Sequence, residues 1–437
     1  MPAKPAWTLS PEVRAAADEV VRLRRKFHQI PELGFEETKT SALIAQTLKG
    51  TGLDVRTGVA KTGVVATLDT GKPGPVILYR ADMDALPILE GTGTAYASTH
   101  PGTMHACGHD GHVAIALTAA RILAKRKGRL KGGVVKFVFQ PAEERPGGAL
   151  PMIEAGVLEN PKVDAAFGLH LWNELTVGTV GIRPGAMMAC TDEFEVVIFG
   201  KGGHGATPHL TVDPIVVAAQ VVMALQTLVS RSTDPLKSAV VTIGRMQAGT
   251  TFNVIPDRAS LLGTVRALDY RVREETRSGM ERILRGITES AGARFEILYT
   301  PHYPPTVNDP ARAGWLRGVA AGVVGEANVI AQEASMGGED MSYFLQRAPG
   351  CYFCLGTANP DRGIVHPHHS PLFDIDEDAL PIGVEIATRL LERALNDGIP
   401  AAGDKPPAAG TVPAAAGKSA PPPSARARKP GVVRRKA

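Results

Sequence analysis

The chain has 437 residues, which is too long for one hydrophobic core and predicts two domains. Its hydrophobic fraction of 44% is ample for burial, and four cysteines in so large a chain exclude a disulfide framework and favour a reducing compartment. Residues 398–437 hold eight basic residues and one acidic residue, so this segment carries +7 and the remainder of the +4 chain carries −3. The part expected to fold therefore has no basic excess, which argues against a nucleic-acid enzyme.

The two ends of the chain give further expectations. The first ten residues lack the apolar stretch of a signal peptide, and we find no run of 18 apolar residues that would span a bilayer. We therefore predict a cytoplasmic protein without a membrane partner. Segment 398–437 is rich in Pro and Ala, so it is predicted to be a disordered basic tail. Such a tail either contacts nucleic acid or an acidic membrane surface, or is solvated and has no fixed role.

In chain order, the first predicted helix has Ser10 as its N-cap and a proline at its first position. Residues 64–68 and 75–79 have the pattern of buried strands, separated by a turn rich in Gly and Pro. Two carboxylates, Asp82 and Asp84, follow the second strand. Ligands bind at the carboxyl ends of strands in open α/β sheets, so these acids mark a candidate site.

The most informative stretch is 105–112, which contains three of the 12 His and one of the four Cys. Neutral imidazole and thiolate are donors that Zn²⁺, Mn²⁺, Co²⁺ or Ni²⁺ accept. A further strand, 133–139, is followed by the paired carboxylates Glu143 and Glu144, and another apolar strand is predicted to end at His170. If these strand ends meet, the chain offers metal ligands from several segments together with a free base.

Less specific interpretations of the same residues remain open. His105, Cys107 and His112 could be core or helix-cap residues, and a Glu-Glu pair after a strand commonly faces solvent. A late His-rich loop, 366–369, adds a ligand candidate, but spacing alone does not choose among its three His. It could equally be incidental surface.

The pattern changes in the middle of the chain. Strands and helices follow in the order β-α-β-β-α-β, which is typical of a small open-faced sandwich. They are predicted at 192–199, 216–228, 238–246, 258–267, 271–291 and 293–299. Because α/β patterns resume afterwards, we predict a discontinuous catalytic domain, 1–188 and 304–397, with an inserted domain, 189–303.

Two motifs suggest other chemistry but fit their context poorly. Residues 200–205 match G-x-G-x-x-G, yet the helix that a dinucleotide site needs begins only after Pro214. Cys351 and Cys354 form a C-x-x-C, but in an alternating strand their thiols would point to opposite faces. Core packing is the better interpretation of both cysteines.

An ordered series of motifs resembles the M20 metallopeptidase family, specifically its amidohydrolase branch of hippurate hydrolases and N-acyl-amino-acid aminoacylases. The motifs lie at 27–34, 80–87, 105–112, 139–144, 168–170, 200–209, 252–256 and 336–340. The resemblance implies an α/β fold, with a mixed-sheet, metallo-exopeptidase-like catalytic domain and an inserted α+β domain that dimerises and forms a lid. It also implies two divalent metal ions per subunit: Mn, Zn, Co or Ni.

The resemblance also implies roles for individual residues. The positions that match its metal ligands are Cys107, His109, Glu144, His170 and His369, with His368 as an alternative to His369. Glu143 matches the general base, and Asp84 matches a carboxylate that supports the ligands. His204 matches a catalytic lid residue that reaches the partner subunit's site, while Asn253 and Arg266 match residues that grip the substrate carboxylate across the dimer.

The predicted function is therefore metal-dependent hydrolysis of N-acyl amino acids such as hippurate, by a cytoplasmic homodimer. The alternative within the same family is a dipeptidase or aminoacyl-peptide hydrolase. Two alternatives from other classes are a noncatalytic protein that sequesters acylated amino acids and a nicotinamide dehydrogenase. The presence of Glu143 argues against the first, and the poor context of the Gly-rich turn argues against the second.

Overall fold

The structure is a computed structural model that describes residues 7–403. The predicted disordered tail lies outside the described residues from 404 onwards. The described start of that segment, 398–403, runs along the fold, where the Gly403 amide donates to Asp309 Oδ2 at 2.8 Å.

Helices and strands alternate along most of the described range. In residues 7–403 the α-helices α1 to α9 are Pro11–His28, Thr38–Leu48, His109–Arg126, Ala149–Glu154, Pro214–Thr227, Tyr270–Ser290, Pro310–Val324, Met341–Arg347 and Ala379–Asp397. The strands β1 to β16 are Asp54–Val59, Gly63–Asp69, Val76–Asp82, Val134–Gln140, Ala165–Thr176, Val180–Ile182, Gly185–Met188, Asp192–Phe199, Gly203–His204, Ala239–Ala248, Val254–Ile255, Arg258–Ala267, Arg294–Pro301, Thr306–Asn308, Val329–Ala331 and Cys351–Ala358.

Eight of these strands form a mixed sheet in the order β1-β2-β4-β3-β5-β16-β6-β15. Its central strands β4, β3, β5 and β16 are parallel, so their carboxyl ends lie at one edge. Apolar residues of α1, α2, α3, α7 and α9 cover one face of the sheet, and those of α4 and α8 cover the other. This arrangement confirms the predicted α/β fold with a mixed sheet.

The cysteines of β16 show how this sheet is buried on both faces. Cys351 belongs to the apolar cluster on one face and Cys354 to the cluster on the other. Both are buried free thiols. The alternation of a strand therefore separates the two sulfurs, as the sequence pattern predicts, and makes them core residues.

The central segment forms a second sheet, antiparallel, in the order β10-β12-β8-β13. Helices α5 and α6 pack together on it around a separate apolar cluster. The element order β8-α5-β10-β12-α6-β13 is the predicted β-α-β-β-α-β order. This is the inserted α+β sheet of the expected fold, whereas the proposed limits at 188/189 and 303/304 stay a prediction.

Two predicted element limits differ from the structure. Strand β5 does not end at His170 but continues to Thr176, because β16 pairs beside it as far as Ala358. The sequence pattern predicts a helix over 112–124, but α3 begins at His109, after Gly108 in a left-handed conformation (φ +87°). His109 therefore lies on the first turn of α3.

By length and composition, the helical stretch Pro214–Ser232 could cross a membrane, although 28% of it is buried inside the fold and one such helix is weak evidence. The stretch is not an uninterrupted apolar run, because it contains Gln220, Gln226 and Arg231, so it does not contradict the sequence expectation. The cytoplasmic location stays a prediction.

Candidate metal centre

The site is built on a buried arginine in β3. Arg80 donates from Nη1 to Asp82 Oδ2 at 2.6 Å, and from Nη2 to Glu339 Oε1 at 2.7 Å and Asp340 Oδ1 at 2.9 Å. Burial alone would raise the pKa of the Asp82 carboxyl, but Arg80 holds it well below its usual range. Arg80 thus fixes an ionised carboxylate at the carboxyl end of the sheet.

Asp82 in turn orients His112. The His112 Nδ1–H donates to Asp82 Oδ1 at 2.5 Å, and His112 Nε2 accepts the Leu171 amide at 2.9 Å. Both ring nitrogens are therefore occupied by protein partners. His112 connects β3 to β5 next to His170 and has no free lone pair for a metal.

Three candidate donors meet beside this connection: Cys107, His109 and His170 bring ligand atoms within 4.8 Å of one another. Cys107 Sγ is 3.6 Å from His170 Nε2, while the other nitrogen of His170 donates to the Leu171 carbonyl at 2.6 Å. The His109 Nδ1 is 3.0 Å from the Asp84 carbonyl oxygen. These contacts leave one nitrogen of each histidine directed to the cluster.

The acidic side of the site lies on the loop 141–148 after β4, which we call the Glu143 loop. Asp84 orients it, because its two carboxylate oxygens accept the amides of Glu143 and Glu144, each at 3.0 Å. Glu144 Oε1 is 3.1 Å from His369 Nε2, and Cys107, Glu144 and His369 form a second group of donors within 4.8 Å. Asp84 therefore holds the loop through its backbone.

Two histidines of the late His-rich loop, His368 and His369, lie in different environments. His369 faces Glu144, whereas the His368 Nε2–H donates to the Leu171 carbonyl at 2.9 Å. His369 adopts φ +64°, and its amide donates to the Ala106 carbonyl at 2.8 Å. This geometry favours His369 over His368 as the donor in this cluster.

The electrostatics of the donors call for a cation. Burial raises the pKa of the Glu143 carboxyl, and the nearby carboxylates of Glu339 and Glu144 raise it further. Burial also raises the pKa of the Cys107 thiol, with Glu144 adding to the effect. Crowded buried acids of this kind are stable as anions only beside compensating positive charge.

Two buried atoms indicate where that charge would lie. Although burial opposes protonation, Asp82 raises the pKa of His109 to about 10. Among the residues that the structure describes, His109 Nε2 is buried without a hydrogen-bond partner, and the buried Glu144 Oε1 has its ion-pair contact with His369 Nε2. Sulfur, imidazole and carboxylate donors with unused lone pairs fit a divalent transition-metal ion or Zn²⁺.

A cleft of about 580 Å³ opens onto these donors. Cys107, Glu143 and His369 line its floor, and Arg266 of the inserted sheet lines its wall. Within residues 7–403 the half-buried Arg266 guanidinium has no hydrogen-bond partner, and burial lowers its pKa. The structure therefore brings Arg266 to the same cleft as the predicted ligands of its own chain.

His204 and Asn253 lie elsewhere. The short strands β9 and β11 pair His204 with Val254, and the Gly205 amide donates to the Asn253 carbonyl at 2.9 Å. Neither residue lines the cleft. The structure thus places these two predicted residues beside each other but not beside the metal donors of the same chain.

Sequence reasoning missed the groups that support the donors. Arg80, Glu339 and Asp340 lie within the motifs 80–87 and 336–340, but the sequence pattern assigns them no role. Their signal is an arginine near the end of a mostly apolar strand, β3, and an acidic pair far along the chain. Pairing between distant segments cannot be deduced from such a signal.

Comparison with known proteins agrees with this geometry. Residues 78–393 match the sequence model of the family described as Peptidase family M20/M25/M40. The chain belongs to the M20 family.

Relatives in this family have hydrolase names. The chain is 45% identical over 378 residues to YhaA of Bacillus subtilis strain 168, named as an amidohydrolase, covering 85% of this chain and 95% of YhaA. It is 42% identical over 362 residues to N-acetyl-L-cysteine deacetylase of the same strain, covering 83% and 85%. The solved structure of Bacillus subtilis YXEP, described as a dinuclear metal-binding peptidase of family M20, is 38% identical with a TM-score of 0.77, covering 87% and 99%.

Family membership and these relatives support an enzyme of the amidohydrolase or peptidase type, with metal-dependent hydrolysis of amide bonds in N-acyl amino acids as the general reaction. They also support metal binding, for which the structure offers the donor clusters described above. The predicted M20 resemblance is confirmed.

The thiol of Cys107 gives a direct test of the donor cluster. We expect Cys107→Ser to lower the affinity for Zn²⁺ or Mn²⁺ by at least about 100-fold, because even partners outside the ligand set are worth roughly 10–100-fold. The measurement is calorimetric titration of metal into chelator-treated protein. Cys190→Ser, another buried free thiol outside the cluster, is the control. Equal affinity of both variants and the wild type would exclude Cys107 as a ligand.

Proposed function

We propose that this chain hydrolyses the amide bond of N-acyl amino acids, including hippurate-like substrates, to a carboxylic acid and a free amino acid. The observation that carries the proposal is the position of Glu143. Its buried side chain lines the same cleft as the metal donors and Arg266, whose guanidinium has no hydrogen-bond partner within residues 7–403.

Five residues would hold two divalent ions: Cys107, His109, Glu144, His170 and His369. The two overlapping donor groups, and the description of YXEP as dinuclear, support two ions rather than one. We expect Mn²⁺, Zn²⁺, Co²⁺ or Ni²⁺. When bound, such ions polarise a carbonyl oxygen and lower the pKa of a coordinated water toward about 7.

The role proposed for Glu143 is to move a proton. Its carboxylate accepts a proton from the attacking water and returns one to the nitrogen of the leaving amine. Asp84 accepts the Glu143 amide and so fixes the backbone from which the side chain projects into the cleft. A base held in this way keeps its alignment through both proton transfers.

The cleft wall supports the substrate class. Arg266 can form two parallel hydrogen bonds with the carboxylate of an amino acid, which a lysine could not reproduce. Trp172 lines the cleft, with its ring centroid 5.0 Å from that of His368. A flat acyl group such as benzoyl could stack on this aromatic surface.

We also propose a homodimer formed through the inserted sheet, in which His204 and Asn253 reach the partner's cleft. Strand β10 is an edge of that sheet, and beside it α5 exposes Ile215, Val216 and Met223, the last with 72% of its surface accessible. A strand edge next to an apolar helix stripe suits a symmetric contact between two copies.

The proposed function is tested by measuring amino-acid release from a panel of amide substrates. We expect chelated protein to be inactive and added Mn²⁺, Zn²⁺ or Co²⁺ to restore amino-acid release from hippurate and other N-acyl amino acids. Glu143→Gln should bind metal normally but lose about 10²–10⁴-fold in kcat, because it removes the general base. Release from dipeptides alone would favour the peptidase alternative, and full activity of the Gln variant would remove Glu143 from this role.

The Arg266 contact has its own test. Arg266→Ala should raise KM by roughly 10–100-fold for N-acyl amino acids, since a charge-assisted pair typically contributes about 1.5–3 kcal/mol. Hydrolysis of the matching carboxamides, which have no carboxylate, should change little. A similar loss on both substrate series would indicate a structural defect instead of a lost contact.

The dimer is tested by sedimentation velocity. We expect the wild type to sediment as a dimer of the 46.1 kDa chain and Met223→Glu to shift it to the monomer, because the substitution buries an unpaired charge in the contact. The control is Leu298→Glu, which alters a 64% exposed apolar residue on the opposite edge strand, β13. A dimer that survives Met223→Glu would place the interface elsewhere.

A further inference from the structure

Residues 302–305 lead from the last strand of the inserted sheet, β13, back to β14, and we call them the return segment. A tyrosine on this segment is hydrogen-bonded to the backbone of the proposed base. Tyr303 follows β13 and precedes β14, and its hydroxyl donates to the Glu143 carbonyl oxygen at 2.7 Å. The same residue lines the cleft. Tyr303 therefore joins the inserted sheet to the Glu143 loop.

Several backbone amides of this loop are held by side chains outside the inserted sheet, whereas Arg145 forms an exposed ion pair with Glu193 Oε1 of β8 at 3.0 Å. Glu37 accepts the Ala142 amide at 2.9 Å, Asp84 accepts the amides of Glu143 and Glu144, and Asp340 accepts the Gly148 amide at 3.0 Å. These partners all bind N–H groups. The Glu143 carbonyl is left for a donor, and the described structure supplies the Tyr303 hydroxyl.

The loop also fits closely around the tyrosine ring. Gly147 adopts φ +106°, and a Cβ at this position would lie 2.9 Å from Tyr303 Cε1. On the other side, the Tyr303 ring contacts the edge of the Tyr343 ring, with 6.2 Å between centroids. The hydroxyl is thus held in place from two sides.

The return segment is hydrogen-bonded to residues 189–191, which lead from β7 into the inserted sheet. The Thr191 amide donates to the Tyr303 carbonyl at 3.0 Å, and the Tyr303 amide donates to Thr191 Oγ1 at 3.2 Å. A shift of the inserted sheet relative to the eight-stranded sheet would therefore move Tyr303. Through the hydroxyl of Tyr303, the same shift would move the peptide that carries Glu143.

We propose that Tyr303 is a positioning residue, which sets the peptide plane of Glu143 and thereby couples the inserted sheet to the alignment of the base. The proposal rests on the function proposed above for Glu143. Because displacement of a reacting group by about 1 Å can cost roughly 100-fold in rate, the loss of this one bond should be visible in turnover.

The experiment compares Tyr303→Phe with Tyr343→Phe in the full-length, metal-loaded protein. The control is matched, because the Tyr343 hydroxyl also donates to a carbonyl of the return segment, that of His302, at 3.1 Å, and within residues 7–403 it forms no hydrogen bond to the Glu143 loop. We expect Tyr303→Phe to lower kcat about 10- to 100-fold with KM unchanged. We expect Tyr343→Phe to stay within about 2-fold of the wild type.

A second readout does not depend on activity. Hydrogen exchange of the backbone amides in 141–148 should become about 10-fold faster in Tyr303→Phe and not in Tyr343→Phe, because the loop opens more easily without its tether. A raised KM with unchanged kcat would make Tyr303 a substrate contact, and equal losses in both variants would indicate a general effect of the return segment. Either result overturns the proposal. An inactive wild type would refute the proposed function, while exchange would still test the tether.

Discussion

The constraint on which the site depends is the burial of several carboxylates around one guanidinium. Arg80 is almost fully buried and binds Asp82, Glu339 and Asp340, which come from segments more than 250 residues apart in the chain. An unpaired buried charge costs several kcal/mol, so the arginine and its acids are stable only together. The parallel sheet makes this possible, because it brings the ends of β3 and β4 to the same edge as the Glu339 loop.

Asp82, His112 and Asp84 connect this ion cluster to the candidate metal donors through hydrogen bonds. Asp82 holds His112, and His112 holds the Leu171 amide beside His170. Asp84, two residues along, holds the Glu143 loop by two amides. The surroundings of His170 and the Glu143 loop are thus oriented by partners that are themselves fixed, which is how a site keeps its geometry before metal and substrate arrive.

The chemistry of the site was predictable from the sequence to the extent that it lay in local patterns. The His and Cys of 105–112 stand out because these residue types are rare in the chain, and Glu143 and Glu144 stand out because they are adjacent. The fold brings both sets of side chains close together. The partners of Arg80 could not be predicted, since they depend on which distant segments pair. The choice between His368 and His369 also needed the fold, because only the backbone turn at His369 directs the two rings to different partners.

The point of insertion explains why a second sheet takes part in the site at all. Strands β7 and β14, which precede and follow the inserted sheet in the chain, pair with each other, with Thr306 opposite Met188. Both connecting segments lie at the cleft, because Met188 and Thr191 before the inserted sheet and Tyr303 after it line the cleft. Tyr303 is held at the cleft by its hydrogen bonds with Thr191, which join the two segments. The inserted sheet therefore contributes to the cleft as a consequence of topology, and its position relative to the large sheet is transmitted to the loop that carries Glu143.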